Sequence, residues 1–299
     1  MSDRLKTQLE NAHEIRQVLR QLEVKCDQPG TKDLTTLVVF LQWQADLNDY
    51  GPFFEVIKNG ILSNFVFSCT EVEKKIGIKG NSSPEKLLQK AIRKLSKHTA
   101  KGELGELILY TLLDVYFQAP KLLSKVCMKT NPRMPVFGAD AVHGQYIDGQ
   151  FKLYLGESKI HKDFVGAATS ASKSIKNAKL KYQDEFDLLD SHMDFPNITQ
   201  DLEDKLLSLL DPFENDEWQE TIHSPCFIGF TNPSVLSKTT TEDQFLKEYA
   251  KLAEEYISTF SEKIQTQEMQ LSEVSLLILP FACIDQLVNS FIDHMGIKN

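Results

Sequence analysis

An Asp-Gly pair at positions 148–149 constrains the fold of this chain of 299 residues more than any other feature. Alternating apolar segments flank the pair, at 138–147 and 150–159. Asp-Gly between two such segments is typical of a two-residue β-hairpin turn. The turn pairs Ile147 with Gln150, and this pairing predicts the register of both strands.

In this register Asp140 lies opposite Glu157. Side chains alternate between the two faces of a strand, so Lys159 shares the face of Glu157. Opposed side chains have Cβ atoms roughly 5 Å apart, and like charges there are destabilising. Two half-buried carboxylates at this separation either raise a pKa or bind a cation. The register therefore predicts an acid pair and a lysine together at the end of one apolar strand face.

A divalent cation suits such an acid pair, because magnesium and manganese prefer hard oxygen ligands. The ammonium group of Lys159 can orient a water molecule there, or stabilise charge that develops on a phosphate. The alternative is an ordinary surface ion pair between Glu157 and Lys159 at a frayed strand end. The inferred register with Asp140 favours the metal site.

An apolar segment upstream offers a third carboxylate. Residues 102–118 predict a helix, with Glu103 and Glu106 one turn apart on a shared face. Glu103 is explained by the favourable interaction of a first-turn acid with the helix dipole. Glu106 is flanked by leucine and isoleucine, where a charge is less favourable. We therefore expect Glu106 to be the more deeply placed acid and to belong to the site.

The three segments together resemble the PD-(D/E)xK nuclease superfamily. More narrowly, they are similar to HamA, the nuclease subunit of the Hachiman bacterial anti-phage system. The resemblance covers residues 95–295, and no proline precedes Asp140. It is carried by the blocks GELGE at 102–106, FGADAVH at 137–143 and LGESK at 155–159.

The resemblance implies metal-dependent cleavage of DNA, held in check by a helicase partner and released on phage infection. Asp140 would bridge Mg²⁺ or Mn²⁺, and Glu157 and the Ser158 carbonyl would complete the protein ligands. Glu106 would bind a second metal or hold a metal-bound water. Lys159 would position or activate the attacking water.

The expected fold is α/β (α+β three-layer), with a restriction-endonuclease-like core in which helices flank a central mixed sheet. Continuous apolar strands alternating with helices support a sheet covered on both faces. We expect a nuclease domain at 83–299 with an acidic insertion at 184–220. Residues 1–82 are interpreted as a mainly helical, partner-binding region that the nuclease core does not need.

Individual elements can be predicted along the chain. An amphipathic helix is expected over 1–26, and the apolar segments 34–47 and 53–66 could be helices or buried strands. Ser83 is the expected N-cap of a helix that continues to residue 98. The remaining predictions are helices at 164–181, 243–267 and 284–295, and buried strands at 226–231 and 274–281.

The net charge of −9 argues against a protein that coats DNA passively, but the charge is uneven. Six lysines against one acid occupy 159–181, and twelve acids against one lysine follow at 184–217. The acidic segment could dock a basic partner, mask the basic region as a DNA mimic, or simply be solvated. The lysines that we predict to contact DNA backbone are Lys90, Lys94, Lys97, Lys101, Lys173 and Lys176. A solvated helix face is the alternative for the first four.

Several classes of protein are disfavoured. The chain lacks a phosphate-binding GxxxxGK[ST] loop, so we expect no bound nucleotide cofactor, and it lacks HExxH and GxSxG motifs. Five cysteines without close pairs predict neither disulfides nor a zinc site, which favours a cytoplasmic location. No membrane span or signal peptide is expected.

His143 is interpreted as structural, and His161 as outside the site. The rival function is a non-catalytic protein-interaction module of a nucleic-acid-processing complex.

Overall fold

The computed structural model describes residues 5–24, 30–43, 49–76, 83–128, 138–147, 149–195, 198–236 and 241–298. Within these ranges the chain forms a seven-stranded mixed sheet with the order β1-β2-β7-β6-β5-β4-β3. The strands are β1 (Leu19–Leu22), β2 (Thr35–Leu41), β3 (Lys121–Leu123), β4 (Ala141–Ile147), β5 (Gln150–His161), β6 (Ile222–Thr231) and β7 (Val274–Phe281).

Helices cover both faces of this sheet. They are α1 (Ala12–Val18), α2 (Gly51–Val56), α3 (Leu62–Val66), α4 (Cys69–Ile76), α5 (Pro84–Ile92), α6 (Ala100–Tyr116), α7 (Lys125–Met128), α8 (Phe164–Asp190), α9 (Gln200–Leu210), α10 (Trp218–Thr221), α11 (Pro233–Leu236), α12 (Glu242–Thr266) and α13 (Ile284–Met295). The segment Ile57–Ile61 links α2 to α3 and contains a kink at Asn59 and Gly60, whose backbone angles are not helical. A 3₁₀ turn at Leu271–Glu273 precedes β7. In the described ranges, no helix has both the length and the apolar character that crossing a bilayer requires.

The centre of the sheet is parallel and buried on both sides. Strands β2, β7, β6 and β5 run parallel, whereas β1, β4 and β3 pair antiparallel with their neighbours. All eight residues of β7 are buried, as expected for a continuous apolar strand between two helical layers. Helices α6, α13, α2 and α3 pack on one face, and α8 and α12 pack on the other. The predicted α/β fold with a helix-flanked mixed sheet is confirmed.

The predicted hairpin register is confirmed. Ile147 pairs with Gln150, Val142 pairs with Leu155, and every pair between them follows the expected spacing. Gly149 has a φ of +80°, a backbone conformation that glycine adopts without steric cost. Asp148 lies outside the described residues.

Most helices and strands occur at the positions in the sequence where they are predicted. Helices α6, α12 and α13 and strand β7 lie within two residues of their predicted bounds. The Ser83 hydroxyl caps α5 by accepting a hydrogen bond from the Lys86 amide at 3.4 Å. Of the ambiguous apolar segments, 34–47 contains strand β2, and 53–66 contains helical segments on either side of a kink at Asn59 and Gly60. Helix α8 runs nine residues beyond its predicted end.

Two helices were predicted too long. Helix α1 ends at Val18, and the chain continues as β1, whose pairing with β2 overrides the local helical pattern. Helix α5 ends at Ile92 rather than 98, because the backbone then turns and the Ser96 amide donates to the Glu103 carboxylate at 3.2 Å. Lys94 and Lys97 consequently lie in the connection between α5 and α6.

The N-terminal region is part of the main sheet. The described residues of 1–82 contain more helix than strand, as predicted, but β2 pairs with β7, so the main sheet includes part of this region. Further upstream, the amides of Gln8 and Leu9 donate to the two carboxylate oxygens of Asp114, at 2.9 and 3.1 Å. A domain boundary at 82 stays a prediction.

The acidic segment at 184–220 forms a packed layer. It comprises the end of α8 together with α9 and α10. Apolar side chains on its inner side, among them Phe186, Leu206 and Leu210, pack against β4 and β5. Phe213 is 72% exposed on its outer side, where several acidic side chains are also exposed. The docking and masking roles of this segment stay predictions.

We expect a fragment of residues 83–299 to lose cooperative folding. Removing 1–82 would expose the edge of β7, with which β2 pairs. It would also expose the apolar surface of the remaining chain against which Phe53, Phe54 and Ile57 pack, since these three side chains are at most 3% exposed. An exposed parallel edge also promotes aggregation. Thermal unfolding followed by circular dichroism checks this expectation. A cooperative transition at the temperature of the full chain would contradict it.

Asp114 makes the stability of the fold depend on pH. Burial raises its pKa from 3.8 to about 6, although the Gln8 and Leu9 amides oppose the shift. Because the folded-state pKa is the higher one, the stabilising effect of the neutral acid is complete below about pH 4 and is lost as the pH rises through about 6.

We therefore expect the free energy of unfolding of the wild type, relative to Asp114→Asn, to fall between these pH values and to be constant above them. Urea unfolding of both proteins across this pH range measures the difference. A difference that does not vary with pH would show that Asp114 keeps an ordinary pKa in the folded chain.

Candidate active site

The acid pair lies where β4 and β5 separate. Their pairing ends at Ala141 and Gly156, while β5 continues beside β6 to His161. Among the described residues, the edge of β5 beyond Gly156 therefore has no strand partner on the β4 side. The Asp140 carboxylate takes that place: its Oδ2 accepts hydrogen bonds from the Ser158 amide at 2.8 Å and from the Ser158 hydroxyl at 3.0 Å.

The site residues on β5 divide between the two faces of the sheet. A Cβ atom on Gly105 of α6 would lie 3.1 Å from the Ser158 hydroxyl oxygen, so Ser158 faces α6 across a close helix–strand contact. By alternation, Glu157 and Lys159 face the opposite side, where Ser174 of α8 interacts with Glu157. Asp140 lies at the strand edge between these two sides.

Glu157 is a buried acid in a charged cluster. Its side chain is 11% exposed, and Lys159 contacts it directly. Burial raises the pKa of Glu157, and the negative charge of Asp140 raises it further, against the opposing effects of Lys159 and Ser174. Burial lowers the pKa of Lys159, but the charges of Glu157 and Asp140 outweigh it and leave a net rise. The ion pair exists, but it lies in a continuous, buried strand and not at a frayed end.

Lys125 is a site residue that sequence reasoning missed. It begins α7, its side chain is 9% exposed, and its Nζ lies 3.9 Å from Asp140 Oδ1. The same ammonium donates to the Gly138 carbonyl at 3.1 Å. No local pattern signals this role, since Lys125 reaches Asp140 only through the pairing of β3 with β4.

The two acids of α6 are buried in the opposite order to the one expected. Glu103 is 2% exposed, whereas Glu106 is only partly buried, so the expectation that Glu106 is the deeper acid is wrong. Glu103 accepts hydrogen bonds from the Ser96 amide at 3.2 Å and the Thr99 hydroxyl at 2.7 Å. These bonds hold the connection from α5 and explain why a buried acid is tolerated there. Glu106 lines a small cavity together with Asp140.

The predicted metal ligands do not form one compact cluster. Among the described residues, no three acidic, histidine or cysteine side chains lie close enough together to hold a metal ion. Glu106 and Glu157 come from opposite sides of β5, and only Asp140 at the edge is near both. The chemistry of the pair nevertheless fits a hard cation, because Asp140 and Glu157 offer carboxylate oxygens and their repulsion raises the pKa of Glu157.

Both histidines considered from the sequence have local partners. His143 is fully buried, its Nδ1 lies 2.7 Å from the Ala119 carbonyl oxygen, and burial lowers its pKa to about 3. This environment confirms the structural interpretation of His143. His161 lies at the end of β5, and its Nδ1 lies 2.9 Å from the Asp163 carbonyl oxygen.

The lysines predicted to contact DNA differ in their surroundings. Lys176 is tied to the end of α12, because its Nζ donates to the Gln267 carbonyl at 2.8 Å. Lys94 is partly buried in the connection that follows α5. The exposed members of the set are Lys90, Lys97, Lys101 and Lys173.

Replacing Glu103 by alanine should destabilise the fold. The substitution removes the acceptor of the buried Ser96 amide, a loss of roughly 1–3 kcal/mol in the free energy of unfolding. Glu106→Ala, at a more exposed position one turn away, is the matched control and should cost less. Denaturant unfolding of both variants measures the two losses. A larger loss for Glu106→Ala would reverse this assignment of roles.

Comparison with known proteins identifies the family. The family model HamA matches residues 18–295. A search of curated proteins gives no significant match. The family match begins well before residue 95 and takes in β1 and β2, which agrees with their place in the sheet. The chain therefore belongs to the HamA family of the Hachiman anti-phage defence system.

Proposed function

We propose that the chain is a metal-dependent nuclease that cleaves DNA phosphodiester bonds as an effector of Hachiman defence. The observation that carries this proposal is the meeting of Asp140 with the Glu157-Ser158-Lys159 segment where β4 leaves β5. It is the arrangement that the resemblance to PD-(D/E)xK nucleases implies. Membership of the HamA family supports the defensive role.

The site's donor set suits Mg²⁺ or Mn²⁺. Asp140, Glu157 and the Ser158 carbonyl would hold the ion, and Glu106 would support a second ion or a bound water. When bound, the metal offsets phosphate charge and lowers the pKa of a coordinated water.

The chain's own groups prepare this site. The Ser158 amide and hydroxyl fix one oxygen of Asp140, and Lys125 lies near the other. Burial and the charge of Asp140 raise the pKa of Glu157, and Lys159 opposes that rise. To act on substrate, Lys159 releases Glu157, and its ammonium group then orients a water or stabilises the charge developing on the phosphate.

Exposed lysines and a partner would complete the function. Lys90, Lys97, Lys101 and Lys173 are exposed and would hold the DNA backbone without reading its sequence. A helicase subunit of the same defence system would restrain the nuclease, as the family resemblance implies.

A non-catalytic interaction module is the second candidate. It is favoured by the absence of a three-ligand cluster among the described residues and by the ion pair that engages Glu157. In this case the acidic layer at 184–220 would recruit the partner, and metal ions would have no effect on the chain.

Cleavage of plasmid and linear DNA with Mg²⁺, Mn²⁺ or EDTA tests the nuclease. We expect metal-dependent cutting by the wild type and a loss of about 100-fold or more in Glu157→Gln and Lys159→Met, because each removes charge at the reacting centre. The matched control is Glu248→Gln with Lys251→Met, an exposed ion pair of 3.0 Å on α12, which should cut normally.

Thermal unfolding provides a second readout. Mg²⁺ should raise the unfolding temperature of the wild type but not of Glu157→Gln, since a ligand stabilises only the state that binds it. Undiminished cutting by both site variants would refute the assigned residues. If the wild type neither cuts nor responds to metal, alone or with its helicase partner, the interaction module is the better account.

A further inference from the structure

A second polar site lies at the opposite end of β5. Helix α6 ends at Tyr116 and leaves uncovered the end of the sheet where β5, β6 and β7 begin and β4 ends. Beyond this helix end, the same face of the sheet changes from apolar to polar on five neighbouring strands. The polar residues are Gln145 of β4, Lys152 and Tyr154 of β5, His223 of β6, Ser275 of β7 and Thr35 of β2.

Strand register brings these residues together. Gln145 pairs directly with Lys152, Tyr154 with His223, and Thr35 with Ser275. Tyr154 lies four positions before Ser158 on β5 and therefore shares its face. The polar residues consequently form one continuous floor, on the face that α6 covers further along the sheet.

Helices α1 and α6 provide the walls. The Arg16 guanidinium carbon lies 4.4 Å from the centre of the Tyr116 ring, and Arg16 also donates to the Val115 carbonyl. Phe117 packs edge-on against Tyr154. The resulting cavity has a volume of about 440 Å³. Cavities of this size hold small organic ligands.

The cavity is positively charged within an acidic chain. Arg16 and Lys152 line it, and none of the described residues that line it is a carboxylate. Glu273 lies near His223 and is paired with Lys179. Lys152 is partly buried, and within the described part of the chain its ammonium group has no hydrogen-bond or ion-pair partner. A partly buried, uncompensated ammonium is unfavourable unless an anion approaches it.

His223 adds a second unsatisfied group. Its Nδ1 is buried and, in the ranges that the structure describes, has no well-aligned hydrogen-bond partner. Burial and the charge of Lys152 lower its pKa, against smaller opposing effects of the Thr221 backbone and the charge of Glu273. His223 therefore presents a neutral imidazole that can donate or accept a hydrogen bond.

We propose that this cavity binds a nucleotide, with the phosphate between Arg16 and Lys152. Hydroxyl groups of Thr35, Ser275 and Tyr154 supply further hydrogen bonds. The cavity is far larger than a phosphate ion, and its aromatic wall suits a base. The absence of a GxxxxGK[ST] loop excludes only nucleotide binding by the backbone of such a loop. In this cavity, side chains provide the contacts.

The nucleotide could be free or could be the 5′-phosphorylated end of a DNA strand, since both present the same chemistry. The cavity is separate from the acid pair: Lys152 and Glu157 are five positions apart on β5, roughly 17 Å along an extended strand. The proposal does not depend on nuclease activity, and binding alone tests it.

Isothermal titration of the full-length chain tests the site. The probes are 5′-AMP, adenosine, inorganic phosphate and a 5′-phosphorylated dinucleotide. We expect 5′-AMP to bind, and adenosine to bind about tenfold more weakly or worse, because charged hydrogen bonds to phosphate are strong. Tighter binding of the dinucleotide than of 5′-AMP would identify a strand end as the natural ligand, and equal or weaker binding would identify a free nucleotide.

Variants locate the binding. Lys152→Gln should weaken 5′-AMP by about tenfold or more. Lys247→Gln, an exposed lysine of α12, and Glu157→Gln should bind as the wild type does. Hydrogen exchange of the wild type with 5′-AMP should show protection at 145–154 and 222–224, which avoids reliance on the folding of any variant.

Two results would overturn the proposal. One is the absence of binding by 5′-AMP and by the dinucleotide. The other is binding that Glu157→Gln abolishes and Lys152→Gln leaves intact, which would place the phosphate at the acid pair. Neither result depends on whether DNA is cut, so failure here is distinct from failure of the nuclease.

Discussion

The hydrogen bonds from Ser158 to the Asp140 carboxylate replace the backbone pairing that β5 loses when β4 turns away. A buried strand edge must satisfy its amide groups, and here a side chain does so. The replacement brings a second acid close to Glu157, whose ionisation is then opposed both by burial and by a neighbouring charge. Lys159 offsets part of that cost, and Lys125 lies near the Asp140 carboxylate. The chemistry of the site thus follows from one satisfied backbone amide.

The sheet explains why the N-terminal region cannot be treated as an attachment. Strand β2 covers the edge of β7, and helices α2 and α3 contribute to the same apolar layer as α6. Helix α6 is the common element: it carries Glu106 toward the acid pair and Asp114 toward the amides of Gln8 and Leu9. Stability and the geometry of the site therefore depend on the same buried helix.

Local patterns predicted the parts of the fold that local chemistry determines. The register of the hairpin follows from turn type and alternation, and β7 and α13 follow from apolar pattern and length. Strand β1 was missed because its partner β2 comes later in the chain and overrides the helical pattern.

The errors at the site have the same cause. The end of α5 and the burial of Glu103 both depend on a hydrogen bond between two segments, which no periodicity reports. Lys125 reaches Asp140 only through strand pairing, and Phe137 of the quoted family block lies outside the described residues.

The two-residue hairpin loop limits which sequence changes the site can tolerate. One inserted residue would shift one strand's alternation against the other and carry Asp140 away from Ser158 without altering either residue. The contact between Asp140 and Ser158 therefore depends on the length of the hairpin loop more than on which residues form it.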